Sequence, residues 1–185
     1  VHPFCELIDI APGEESWRNA VEGYLNTRRF DLFVKEENYD RALSIYERNK
    51  LPYHIHSVGL VNVAKLDDRS PKPNSLATKV VTSDPDAQRY VNYVLGDIIC
   101  VDSEQELKYY DASITRTVMV YRNRASRATR PEVYATPYIG KGAYSAQLSS
   151  LSNELKEISA EVEELSGNLA EVRSKLNKAS DSKRK

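Results

Sequence analysis

The sequence has little of what most site chemistry requires. Two cysteines, Cys5 and Cys100, stand among 185 residues, too few and too far apart for a disulfide framework or a zinc site. Cys100 lies in the run Ile98-Ile99-Cys100-Val101 and is expected to pack as a small buried apolar side chain. The seven glycines are scattered, and no Gly-Lys-Ser/Thr occurs, which excludes a P-loop. Gly-x-Ser-x-Gly and His-Glu-x-x-His are missing too, and with them two common hydrolase signatures. His54 and His56 would share one side of a strand, but no third ligand stands near them. They are read as ordinary strand histidines, and no metal is expected. Asp67 and Asp68 fall in a loop and are read as solvated. Spacing brings no nucleophile, base and orienter together, so the chain is expected to be non-catalytic and to need no cofactor.

Other absences bound the setting. A net charge of −1 argues against a wholesale nucleic-acid coat, so any such binding must come from a local patch. No stretch reaches the roughly 18 apolar residues of a membrane span, and no signal peptide is evident. A cytoplasmic protein without a membrane partner is expected. The chain opens at Val1 without an initiator methionine and is read as a piece of something larger. With 41% hydrophobic residues it can build a proper core.

What is present is an alternation of helix and strand signals. Trp17, Ala20, Val21, Tyr24 and Leu25 mark one face of a helix from Glu14 to Leu25. Phe30–Val34 reads as a short strand, and Asn38 as the cap of a helix with Tyr39, Ala42, Leu43 and Tyr46 on its face. His54–Leu66 and Leu76–Thr82 read as strands. Asp84 followed by Pro85 starts a helix, whose face is Ala87, Tyr90, Val91 and Val94 and whose left-handed stop is Gly96. Ile98–Val101 is a buried strand. Ser103 and Glu106 form a capping box for a short helix to about Tyr110. Thr117–Tyr121 and Val133–Ile139 read as further strands, the latter broken by Pro137, and Gly140 and Gly142 turn the chain. The pattern indicates an α/β or α+β domain over residues 1–142, a long helix over 143–182, and a basic tail at 183–185.

That long helix carries the clearest signal. Leu148, Leu151, Leu155, Ile158, Val162, Leu165, Leu169, Val172 and Leu176, closed by Ala179, alternate at spacings of 3 and 4 without an error. This is a heptad with every a and d position apolar. The greasy seam is too narrow for an ordinary core-facing helix. The helix would extend roughly 45–50 Å, and no segment of matching length is evident to pair with it. The bland reading is an amphipathic helix folded back on its own domain. The a positions are mostly Leu rather than β-branched, none is Asn, and the e positions are Ser152, Ser159, Ser166 and Arg173. Nothing in that set specifies a parallel zipper, and an antiparallel partner arm fits at least as well.

One charge signal stands out. Between Thr115 and Gly142 lie six basic residues, Arg116, Arg122, Arg124, Arg127, Arg130 and Lys141, against the single acid Glu132. Tyr121, Tyr134 and Tyr138 are interleaved. Arginines and tyrosines in such a run suit phosphates and bases. The plain alternative is a solvated loop whose charges pair with acids elsewhere. Lys183-Arg184-Lys185 is read as a frayed end.

The run from Tyr93 to Asp102 followed by Glu104–Leu107, with Ile114-Thr115-Arg116 and Thr117–Val120 after it, resembles the second half of an SMC hinge. Trp17–Leu25, with its Ala20-Val21-Glu22 core, resembles the hinge's opening helix. Phe30–Val34 and Tyr39–Tyr46 are similar to the strand and helix that follow. The segment Trp17–Thr27 is most similar to the SMC-like ATPases of the MukB, MksB and JetC group, the last belonging to the Wadjet plasmid-defence system. The resemblance spans roughly residues 14–142. It departs from the family at Thr117, where hinges carry Gly, and in a glycine-poor end.

The resemblance implies an SMC-hinge-like fold and a hinge function: a homodimer formed through the globular domain, joining long coiled-coil arms of a DNA-organising ATPase. It implies an antiparallel arm from the same parent chain, a non-catalytic fragment, an association with nucleoid or plasmid DNA, and weak non-specific DNA contact. The competing reading is a stand-alone nucleic-acid- or ligand-binding α/β module oligomerised by its own coil.

Overall fold

The computed structural model describes residues 2–182, with side chains described through Arg173 and at Lys175. The side chains of Leu176 and Ala179 and the end Lys183-Arg184-Lys185 lie outside the described residues. The chain divides into two compact units, residues 1–144 and the segment from Ser145 onward.

The first unit runs α1 (Phe4–Leu7), β1 (Asp9–Ile10), α2 (Arg18–Leu25), β2 (Leu32–Val34), α3 (Glu36–Asn49), β3 (Leu60–Asn62), β4 (Val80–Val81), α4 (Pro85–Leu95), β5 (Ile99–Val101), β6 (Ala112–Thr115), β7 (Met119–Arg122) and β8 (Ala125–Ala128). Helix α5 (Ala143–Ser182) follows. The strands form three sheets: β1 with β4 antiparallel, β2 with β3 parallel, and a four-stranded sheet in the order β5-β6-β7-β8. In that sheet β5 and β6 run parallel and the remaining pairs antiparallel. This is the mixed α/β class expected.

Helices α2 and α4 form because their apolar residues recur at helical spacing, and both bury that face. Ala20, Val21 and Leu25 of α2 and Ala87, Val91 and Leu95 of α4 join Phe4, Leu76, Ile114 and Ile139 in one core. Asp84 caps α4 through a 2.9 Å hydrogen bond accepted from the Ala87 N–H, with Pro85 at the first turn. Cys5 and Cys100 are both buried. Burial pushes the Cys5 thiol up to about 11 and the Cys100 thiol up to about 12.

The core holds one buried ion pair. Glu22 is wholly inaccessible, and its Oε2 accepts from Arg29 Nη1 at 3.0 Å. Its Oε1 accepts the backbone N–H groups of Tyr138 and Ile139 at 2.7 and 2.8 Å. Arg29 also donates to the Val133 carbonyl at 2.8 Å and lies 4.5 Å from the centre of the Tyr138 ring. A buried charge persists only when paired and hydrogen-bonded, and this network ties α2 to residues 133–139. That tie explains one departure from expectation. Val133–Ile139 is no strand but leads out of a 3-10 turn at Pro131–Val133: the N–H groups of Val133, Tyr134 and Ala135 close that turn, and those of Tyr138 and Ile139 go to Glu22.

Other expectations are corrected. Lys35, not Asn38, precedes the first turn of α3, which has no side-chain cap. The long strand expected over His54–Leu66 reduces to Leu60–Asn62. His54 sits in a turn at φ 53°, so His54 and His56 do not share a strand face. Leu76–Lys79 is a 3-10 turn leading into β4. Gly96 ends α4 in the right-handed region, at φ −66°, not the left-handed one. Ser103 and Glu106 bond to each other at 3.0 Å and precede only a 3-10 turn, Leu107–Tyr109. Strand β8 was not anticipated; its residues, Ala-Ser-Arg-Ala, are mostly exposed and lack a strand's apolar alternation.

Two glycines are dictated by their surroundings. A Cβ on Gly23 would stand 2.5 Å from Val118 Cγ1. Val118 is itself buried at φ 62°, a conformation strained for a β-branched residue. Gly140, at φ 86°, makes the turn before α5, and a Cβ there would collide with the Asp9 carboxylate.

Candidate functional site

Three features outside the core offer surfaces for a partner. The first is an apolar groove of about 730 Å³ between α3 and the β2–β3 sheet. Leu32, Phe33 and Leu60 line it from the sheet, Ile45 and Tyr46 from the helix, and Ile55 from the loop between. Glu36 and Glu37 suit the positive N-terminal end of α3, and the helix presents Tyr39, Ala42, Leu43 and Tyr46 at helical spacing. Yet no residue of α3 is buried, and Leu43 and Ile45 are 47% and 45% exposed. The groove residues outside α3 carried no signal in the sequence. Phe33 and Leu60 sit on short strands that read as core, and only the parallel pairing of β2 with β3 brings them under the helix.

The second is the seam of α5. Leu148, Leu151, Leu155, Ile158, Val162, Leu165, Leu169 and Val172 are all exposed, by 51% to 69%. The helix runs unbroken for 40 residues, and the eight described seam side chains lie open along it.

The third is basic. Arg122, Arg124 and Arg127 belong to the β7–β8 hairpin, whose two loop residues, Asn123 and Arg124, both have positive φ as a type I′ turn requires. Val120 pairs with Arg127, and Arg122 stands two residues from Val120, so pleat alternation puts Arg122 and Arg127 on one face. Arg122 donates to the Tyr24 hydroxyl at 2.8 Å. Arg116 lies elsewhere, in the β6–β7 turn, paired with Asp102 and packed 4.6 Å from the centre of the Trp17 ring. Arg130 immediately precedes the Pro131–Val133 turn, and Lys141 lies just before α5; both are exposed.

Among the described residues no group of three His, Cys, Asp or Glu could hold a metal ion. His54, His56, Asp67 and Asp68 are exposed. Among the described residues no helix is long and apolar enough to cross a membrane.

No family model and no curated protein matches the sequence. Solved structures do match. The hinge domain of the Pyrococcus furiosus SMC protein is 18% identical and superposes with a TM-score of 0.55 over 69% of this chain and 70% of its own. The same organism's Smc hinge with an extended coiled coil covers 97% of this chain and 70% of its own, at 19% identity and a TM-score of 0.56. An asymmetric dimer of the Geobacillus stearothermophilus SMC hinge domain gives 15% identity and 0.58, over 96% and 75% of the two chains. The chain therefore has the fold of an SMC hinge domain continued by a long coiled-coil helix.

Proposed function

We propose that the chain is the hinge of an SMC-like ATPase, a dimerisation module at which long coiled-coil arms meet. The fold carries the proposal: a hinge-like domain running into a long helix, similar over nearly all of the chain to a hinge that keeps its coil. The exposed heptad seam supports an antiparallel arm from the same parent. The groove under α3 supports a second copy as its occupant. The similar Geobacillus hinge is a dimer, and β3 pairs with β2 alone, leaving its outer edge open beside the groove. The parent would be a cytoplasmic ATPase acting on nucleoid or plasmid DNA, and the hinge itself non-catalytic. The segment Trp17–Thr27 favours the MukB, MksB and JetC group, with a role in plasmid defence or chromosome segregation. Arg116, Arg122, Arg124, Arg127, Arg130 and Lys141 would supply weak contact with DNA, governed by phosphate neutralisation and hence by salt.

Removing residues 144–185 and measuring mass by light scattering tests the dimer. The truncated domain is expected to remain dimeric at micromolar concentration. A monomer would transfer dimerisation to the coil and favour a stand-alone α/β module oligomerised by its own helix.

A further inference from the structure

A second cleft, of about 340 Å³, opens beside α4 and is lined by Arg28, Arg69 and Arg122 together with Tyr93 and Asp97. These residues are far apart in the sequence. Arg28 comes from the turn after α2, Arg69 from the loop before β4, and Arg122 from the end of β7. Only Arg122 belongs to the basic run.

The charges do not balance. Asp97 is engaged by Lys72 at 3.0 Å and by Arg69 at 4.0 Å. Arg69 also reaches Asp67 at 3.8 Å. Arg122 is held by the neutral Tyr24 hydroxyl, whose phenol is pushed up by burial despite Arg122 and Arg28 nearby. Arg28 is exposed and has no carboxylate within ion-pair distance among the described residues. Among the lining residues three arginines thus face one carboxylate, Asp97, while Tyr90 in the wall donates to the buried Asp31. The Arg69 guanidinium is further fixed 5.1 Å from the centre of the Tyr93 ring, and Arg122 by its hydrogen bond. Planar forks held in place suit the oxygens of a phosphate group.

We propose that this cleft binds a phosphate group through the guanidinium groups of Arg28, Arg69 and Arg122. The phosphate could belong to a free phosphate or mononucleotide, or to the phosphodiester backbone of a nucleic-acid strand. The proposal does not rest on the dimer or on the hinge function.

The whole chain is titrated with inorganic phosphate, with thymidine monophosphate and with single-stranded oligothymidine, following the arginine Nε–Hε signals by NMR. Saturable shifts are expected at Arg28, Arg69 and Arg122. Arg28→Ala and Arg69→Ala, both at exposed positions, should each weaken binding roughly tenfold, as loss of a charge-assisted hydrogen bond does. Arg41→Ala, at an exposed arginine of α3 that does not line the cleft, should leave binding unchanged. Saturation by phosphate and mononucleotide identifies a free-phosphate site. Saturation by oligothymidine alone, weakened by Arg28→Ala and Arg69→Ala, identifies a phosphodiester site. Shifts that sodium chloride reproduces at equal ionic strength would overturn the proposal, as would strand binding that ignores Arg28→Ala and Arg69→Ala.

Discussion

Helices α4 and α5 are both amphipathic, and they differ in what covers them. Helix α4 buries Ala87, Tyr90, Val91 and Leu95. Helix α5 leaves every described residue of its seam exposed. The difference lies in the width of the apolar stripe. On α4 the stripe is broad enough to seat against a core, whereas a strict a/d seam is only as wide as a facing helix. Helix α3 stands between them: it rests along a sheet but leaves a groove and buries none of its residues. A closed core and two open apolar faces in one chain are what the proposed hinge would need.

Opening the core beside α2 should cost the most stability. Glu22→Ala would leave Arg29 uncompensated and strand two backbone N–H groups. A loss of ~3–5 kcal/mol is expected, read from denaturant unfolding by tryptophan fluorescence. A loss below about 1 kcal/mol would mean that the pair is not a structural tie.

A smaller effect, on assembly rather than folding, is expected at α3. Ile45→Glu places a charge on a half-exposed groove position and should leave the melting temperature nearly unchanged. Burying such a side chain is worth ~1.5–3 kcal/mol, so the dimer should weaken roughly tenfold or more, measured by sedimentation equilibrium. An unaffected dimer would move the interface away from the groove.

In α5 the expectation for the core is smaller still. Ile158→Asp should leave the unfolding of residues 1–144 within about 0.5 kcal/mol of the parent chain. It should also abolish any gain in helicity when an antiparallel arm is restored, measured by circular dichroism. If the substitution lowers the stability of the globular unit, α5 is part of its core and the contrast with α4 disappears.

Near neutral pH the buried thiols should contribute no pH dependence at all. Their folded values are raised, to about 11 for Cys5 and about 12 for Cys100, above an unfolded value of ~8.5. Below that unfolded value both states hold the proton and the stabilisation is complete. It is lost as pH rises through the folded values, because only the unfolded chain gains by ionising first. The thiols' contribution should be constant up to about pH 8 and fall from about pH 9, and Cys5→Ala with Cys100→Ala should flatten part of the alkaline loss of stability. An unchanged slope in the double variant would assign the loss to other groups.

Local spacing accounts for one part of this fold. The heptad of α5, the Asp84-Pro85 start of α4, the buried faces of α2 and α4 and the burial of Cys100 all follow from periodicity and capping, which act over a turn or two of helix. The resemblance to an SMC hinge rested on the order of such elements, and the solved hinges share that fold. Tertiary structure decided what depends on distant partners. Glu22 became a core residue only because Arg29 and the backbone at Tyr138 and Ile139 met it there, and that meeting removed the strand expected at Val133–Ile139. His54 and His56 lost their strand because the backbone of Tyr53, His54 and Ile55 turns back on the end of α3, donating to the carbonyls of Asn49, Leu51 and Lys50. The groove under α3 needed β2 and β3 side by side. Arg28, Arg69 and Arg122 could share a cleft only once three separate segments had been folded together, since charges distant in sequence leave no periodic trace.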